Sequence, residues 1–245
     1  MDRYTSRGRL VALALGVALS AAAPGRRAAA QGATGNPGIV PPTDRPYGAT
    51  YGEWGARWWQ WVFSLPTSSN PMLDETGAAA ANGQPFPHVF FLASVITASG
   101  SAERRITVPS GTAFFTSLLS VEWDNVGVGP PGYTIQQLYA LAAAQVANPK
   151  ELHASIDGQP LTNLTAYRAI SPPFSYTLPA TDNLLQFLGF DVSGLIRPAV
   201  SDGYWLMISP LTVGEHTINF GGTTPDGSFT LDITYHVTVV PRGQA

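Results

Sequence analysis

The chain has 245 residues, 13 of them basic and 16 acidic, and no cysteine. Without cysteine there can be no disulfide, zinc–thiolate centre or iron–sulfur cluster, so packing alone must hold the fold. The acidic balance, with Lys150 the single lysine, argues against a nucleic-acid partner, which needs a basic face to displace phosphate counterions.

Residues 1–30 read as an export signal. Arg3, Arg7 and Arg9 form a basic start, Leu10 to Ala23 a short apolar run, and Ala28-Ala29-Ala30 a small-residue cleavage site before Gln31. The apolar run is too short to span a bilayer comfortably, so the expected product is exported, periplasmic or extracellular, with no membrane span after cleavage. Cleavage removes five arginines and one aspartate, leaving 8 basic and 15 acidic residues, a formal charge of −7. Residues 31–49, rich in Gly, Pro and Thr, read as a flexible N-terminal arm.

The next segment carries the strongest signal. Trp54, Trp58, Trp59 and Trp61, four of the six tryptophans, fall within eight residues. Thr50 and Glu53 make a capping-box pattern. Tyr51, Trp54, Trp58, Trp61/Val62 and Leu65 then recur at helical spacing up to Pro66. Each indole presents roughly 150–250 Å², so four together exceed any apolar patch normal on a soluble monomer. The helix must be core, an interface with a partner or another copy, or a ligand platform with Glu53, Arg57 and Gln60 as polar neighbours. Core packing is the favoured reading. For a platform, the contacting residues are Trp54, Trp58, Trp59, Trp61, Glu53 and Arg57, with Arg57 pairing Glu53 at i, i+4.

From residue 86 onward the pattern turns β. Phe86 to Ile96 is almost continuously apolar, as in a strand covered on both faces. Arg104–Val108 and Thr112–Leu119 flank Pro109-Ser110-Gly111, which reads as a hairpin. Thr134 and Gln137 cap a second helix ending at Asn148-Pro149. Asp157-Gly158 marks another hairpin, and Leu184 to Phe190 a short helix. Tyr204–Ser209, Glu215–Phe220 and Ser228–Val240 read as strands, the last with strict apolar/polar alternation and hence one dry and one wet face. The fold class expected is mainly β: an antiparallel β-sandwich, Ig-like or jelly-roll-like, decorated with two or three helices. Residues 50–245 are read as one domain, with a split near residue 150 as the alternative.

Motifs for common chemistries are missing: no Gly-x-Ser-x-Gly elbow, zinc helix, phosphate loop, dinucleotide fingerprint or EF-hand loop occurs. No cofactor or metal site is expected. His216 and His236 fall on consecutive strands but lack metal-ligand spacing. The bland reading has His216 anchoring the turn after Gly214 and His236 solvated. Glu122 and Asp124, two apart, share a face, and Asp74-Glu75 lie in a turn. A glycosidase needs two carboxyl groups across a cleft, but ordinary surface charge explains both pairs. Asn163-Leu164-Thr165 is a chance glycosylation sequon.

The order of motifs resembles a family of uncharacterised exported bacterial proteins. The resemblance rests on Tyr51–Trp61, Asn70–Gly77, Val108–Phe115 and Gly203–Gly222, the last containing Gly-Glu-His-Thr-Ile. It implies a secreted, mostly-β fold and carries no activity. Relatives in that pattern often have cysteines where this chain has Ala78–Ala81 and Ile106, so it implies a disulfide lost here. The function expected is a non-catalytic exported protein that binds a glycan or protein partner, or assembles into an oligomer. A secreted polysaccharide hydrolase is the alternative.

Overall fold

The computed structural model describes residues 36–96 and 100–243. The proposed signal, its cleavage site and the first residues of the arm lie outside the described residues. Strand outweighs helix, 38% against 20%, and the strands form two mixed sheets packed together with three helices. The sandwich is therefore as expected, but its sheets are not purely antiparallel.

Sheet one takes the order β1 (Val89–Phe91), β3 (Ala113–Trp123), β8 (Gly194–Ile208) and β6 (Arg168–Ile170), while β7 (Phe174–Leu178) pairs with the first half of β8. Sheet two runs β2 (Ser101–Pro109), β10 (Thr230–Val240), β9 (Gly214–Thr223), β4 (Glu151–Ile156) and β5 (Gln159–Pro160). Two pairs are parallel, β1 with β3 and β2 with β10. The buried apolar residues form one cluster running through both sheets.

The Pro109-Ser110-Gly111 turn does not make a hairpin. It carries the chain from β2 in sheet two to β3 in sheet one. Burial explains the separation. β2 alternates between exposed and buried positions, whereas β3 is buried at nearly every residue. A half-wet strand and a doubly covered strand belong to different layers. The Asp157-Gly158 turn does join a hairpin, β4 to β5, and β10 has the alternating burial that its sequence dictates.

Only Val89–Phe91 of the apolar run 86–96 is a strand. Side chains replace the ladder beyond it. The Leu92 carbonyl accepts the Trp58 indole N–H at 3.0 Å, and the Ala93 N–H donates to the Tyr235 hydroxyl at 2.9 Å. Arg104, fully buried, donates to the carbonyls of Asp74 (2.8 Å), Pro71 (2.7 Å), Ser94 (3.1 Å) and Ala93, and to the Tyr235 hydroxyl at 2.6 Å. An irregular buried segment is tolerable because its polar backbone is satisfied in this way.

Helix α1 (Tyr51–Ser64) starts at a complete capping box. Thr50 Oγ1 accepts the Glu53 N–H at 3.2 Å, and the Glu53 carboxylate accepts the Thr50 N–H at 2.7 Å. The helix lies on sheet one, against β3, β6, β7 and β8. Two glycines permit that approach. A methyl group at Gly52 would come within 2.1 Å of the Ile170 carbonyl oxygen, and one at Gly55 within 3.0 Å of the Trp205 ring. Helix α2 (Ile135–Val146), also capped by Thr134 and Gln137, buries Leu138, Ala142 and Val146 against β3 and β8. Its Gln145 accepts the Trp123 indole N–H at 2.7 Å. The short α3 (Leu184–Phe187) is capped by Asn183. Within the arm, Ile39 is buried and bridges Ile208, and the Val40 N–H donates to the Met207 carbonyl at 2.9 Å. Among the described residues no helix is long and apolar enough to cross a membrane.

Candidate functional site

The four indoles of α1 are core. None of Trp54, Trp58, Trp59 and Trp61 is more than 3% exposed, which leaves no ring face on which a sugar could stack. Their surroundings are other rings: Trp58 meets Trp59, Trp61 and Trp205, while Phe115 and Trp205 stack at 5.3 Å. Three indole N–H groups tie α1 to separate loops, at the carbonyls of Pro46 (2.9 Å), Leu92 (3.0 Å) and Asn82 (3.0 Å). The polar neighbours do not pair as expected. Glu53 takes Arg45 at 3.1 Å, and its bonds to Thr50 hold its carboxyl below the usual range. Arg57 instead lays its guanidinium over the rings of Trp54 (4.6 Å) and Phe86 (5.4 Å).

Glu122 and Asp124 are not surface charges. They are 6% and 1% exposed. In the ladder Glu122 stands opposite Ser201 and Ser117 opposite Trp205, so alternation puts Glu122, Asp124, Ser117 and Ser201 on the face that α1 covers. Asp124 accepts the Tyr176 hydroxyl, and the Tyr176 ring stacks on Phe63 of α1 at 4.2 Å. Sequence spacing gave their common face correctly but could not show the helix laid over it. Another buried carboxylate, Asp202, has a cation: Arg168 holds it with two bonds of 2.9 and 2.6 Å.

The histidines do not converge. His216 stands opposite Val237 in the ladder, whereas His236 stands opposite Thr217, so the two rings leave opposite faces of sheet two. Among the described residues no group of three His, Cys, Asp or Glu side chains is placed to hold a metal ion. His216 does anchor the turn before β9. Its Nδ1 is 2.8 Å from Asp157 Oδ2, and its Nε2 is 2.9 Å from the Thr212 carbonyl and 3.3 Å from the Thr212 hydroxyl.

Hydroxyl, imidazole and carboxylate thus stand in the sequence used by nucleophilic hydrolases. Hydrogen counting assigns a different role. Carboxylate and carbonyl oxygens only accept, so the imidazolium, with hydrogen on both nitrogens, is the form that satisfies both contacts. Burial opposes that charge, but the bonds to Asp157 and Thr212 and the nearby carboxylates outweigh it and raise the His216 pKa. Asp157, also bonded by the Thr217 N–H at 2.8 Å, is held below the usual carboxylate range despite its partial burial. Bonded at both nitrogens, the ring serves as a clamp between the 209–213 loop and the β4–β5 turn. Asp157 and Thr212 were invisible as its partners in sequence, since their only signal was an ordinary Asp-Gly turn.

The outward face of sheet two is the ordered array of exposed functional groups. Across the ladder Glu103, Thr234, Asn219 and Ser155 form one row, and Ser101, Asp232 and His153 another. Neighbours fix one another. Asn219 donates to Asp232 (2.8 Å) and Thr234 (3.1 Å), His153 lies 3.3 Å from Asp232, and His236 lies 2.8 Å from Glu103. The carboxylate side chains remain about two-thirds exposed, Glu103 at 67% and Asp232 at 63%. Such a face can offer hydrogen bonds at fixed spacing to a polar polymer or a polar protein surface, and its only rings among the residues named are the imidazoles of His153 and His236.

No family model, curated protein or solved structure matches the chain. The resemblance in motif order therefore adds no residue role.

Proposed function

We propose that the protein is exported and non-catalytic, and that it binds a glycan or protein partner in the periplasm or at the cell surface. The observation that carries this reading is the outward face of sheet two, a rigid polar array held by its own hydrogen bonds. The indoles are engaged in the core and His216 in its clamp. A glycan array combined with a product-release assay on the purified protein tests the reading. Expected is binding without turnover, weakened by Asn219→Ala, whereas product release overturns it.

The alternative, a polysaccharide hydrolase, is favoured by one observation, the burial of Glu122 and Asp124 on a common face. It requires α1 to move away from that face. Turnover abolished by Glu122→Gln is the result that would establish it.

A further inference from the structure

We propose that the interface between α1 and sheet one binds internal water at separate points, against Ser117, Ser201 and Trp59. Three polar atoms there, Ser117 Oγ, Ser201 Oγ and Trp59 Nε1, have no hydrogen-bond partner among the described residues. Each belongs to a side chain no more than 2% exposed. An orphaned donor in a core forfeits its hydration, and native proteins rarely leave one so. Ser117 and Ser201 lie four ladder positions apart, roughly 13 Å, so each calls for its own remedy at this interface.

Placement supports this. Ser117 stands opposite Trp205, whose ring lies against α1 at Gly55. Ser201 is four residues back along β8 and so leaves the same face. Its backbone is fixed on both sides by Ser171: the Ser201 N–H donates to Ser171 Oγ and the Ser171 N–H to the Ser201 carbonyl, each at 2.8 Å. The Ser201 hydroxyl is thereby held opposite Glu122. Directly opposed Cβ atoms are roughly 4.5–5.5 Å apart, a spacing at which one water can join hydroxyl to carboxylate. Apolar voids stay dry, but a polar one offering two to four partners holds water. At Ser201, hydroxyl and carboxylate supply two such partners.

Two measurements on the full chain decide the matter. If water holds the hydroxyls, Ser117→Ala and Ser201→Ala each remove a bond, and Tm falls by about 2–4 °C in each. If the hydroxyls are dry, the substitutions relieve an orphaned group. A Tm that holds or rises in either variant overturns the proposal. Should a variant fail to fold, magnetisation transfer from water to the Trp59 indole proton decides instead. Cross-peaks of opposite sign in the laboratory and rotating frames, assigned by their loss in Trp59→Phe, are expected for long-lived internal water, and their absence overturns the proposal.

Discussion

Arg104 gives the sharpest test of how the irregular segment 70–96 is held. Its guanidinium makes three bonds to fully buried partners on the main chain, at Ala93, Pro71 and Ser94, besides those to Asp74 and Tyr235. Among the described residues no carboxylate shares the bonding. In Arg104→Met the acceptors cannot be removed with the donor, because they belong to the backbone. A bond to a charged group contributes about 1.5–3 kcal/mol net, so three represent roughly 4.5–9 kcal/mol. Burying a methionine returns about 1.5–3 kcal/mol, which leaves a net loss of roughly 1.5–7.5 kcal/mol, a large part of an ordinary domain's stability. Arg104→Lys separates geometry from charge: it keeps the charge but lacks the planar fork, so it should not restore stability. Urea unfolding followed by tryptophan emission reads both variants. The reasoning fails if Arg104→Met lies within about 1 kcal/mol of the parent, or if Arg104→Lys recovers the parent midpoint.

Three further outcomes follow from the geometry. Trp58→Ala should cost about 3–5 kcal/mol by cavity formation and leave the mass measured by light scattering unchanged. A fall in mass instead would mark α1 as an oligomer seam. Gly52→Ala, whose methyl would meet the Ile170 carbonyl, should lose about 1–3 kcal/mol through overpacking, and a neutral thermal melt would contradict the close approach. The His216 clamp sets a pH window. A raised folded pKa stabilises fully below the unfolded value, about 6.5, and is lost as pH rises through the folded value. Asp157 is lowered, so its contribution is present above about 3.9 and lost as pH falls through its folded value. Stability measured from pH 6 to 9 should therefore decline more steeply in the parent than in His216→Gln, and equal slopes would remove the clamp from the account.

Local rules captured what depends on local chemistry. Thr50 with Glu53 and Thr134 with Gln137 announced both long helices, because a capping box is written within four residues. The alternation from Thr230 to Val240 announced a strand with one wet face. Pairing between distant strands leaves no such trace. Nothing near Ser101 or Asp232 says that they are parallel neighbours, and the turn chemistry at Pro109-Ser110-Gly111 fits a sheet-to-sheet crossing as well as a hairpin. The burial of Glu122 was illegible for a related reason. A carboxylate's environment is set by what covers it, here a helix some sixty residues earlier in the chain, not by its neighbours in sequence. The same holds for Arg57, whose i, i+4 partner was available but whose guanidinium lies on Trp54 and Phe86 instead.

The position of β10 has a consequence for how the molecule comes to be. The last described strand in chain order is an inner strand of sheet two, seated between β2 and β9. Until it arrives, β2 has no neighbour within its own sheet and keeps a bare row of amides and carbonyls, an open template for a foreign chain. That pairing joins residues 131 positions apart, Ser101 with Asp232, and its loop must be closed before the pairing repays the ordering cost, which slows folding. Deleting β10 would therefore strip out a keystone, not trim a margin, and nascent chains have reason to need shielding until β10 has emerged.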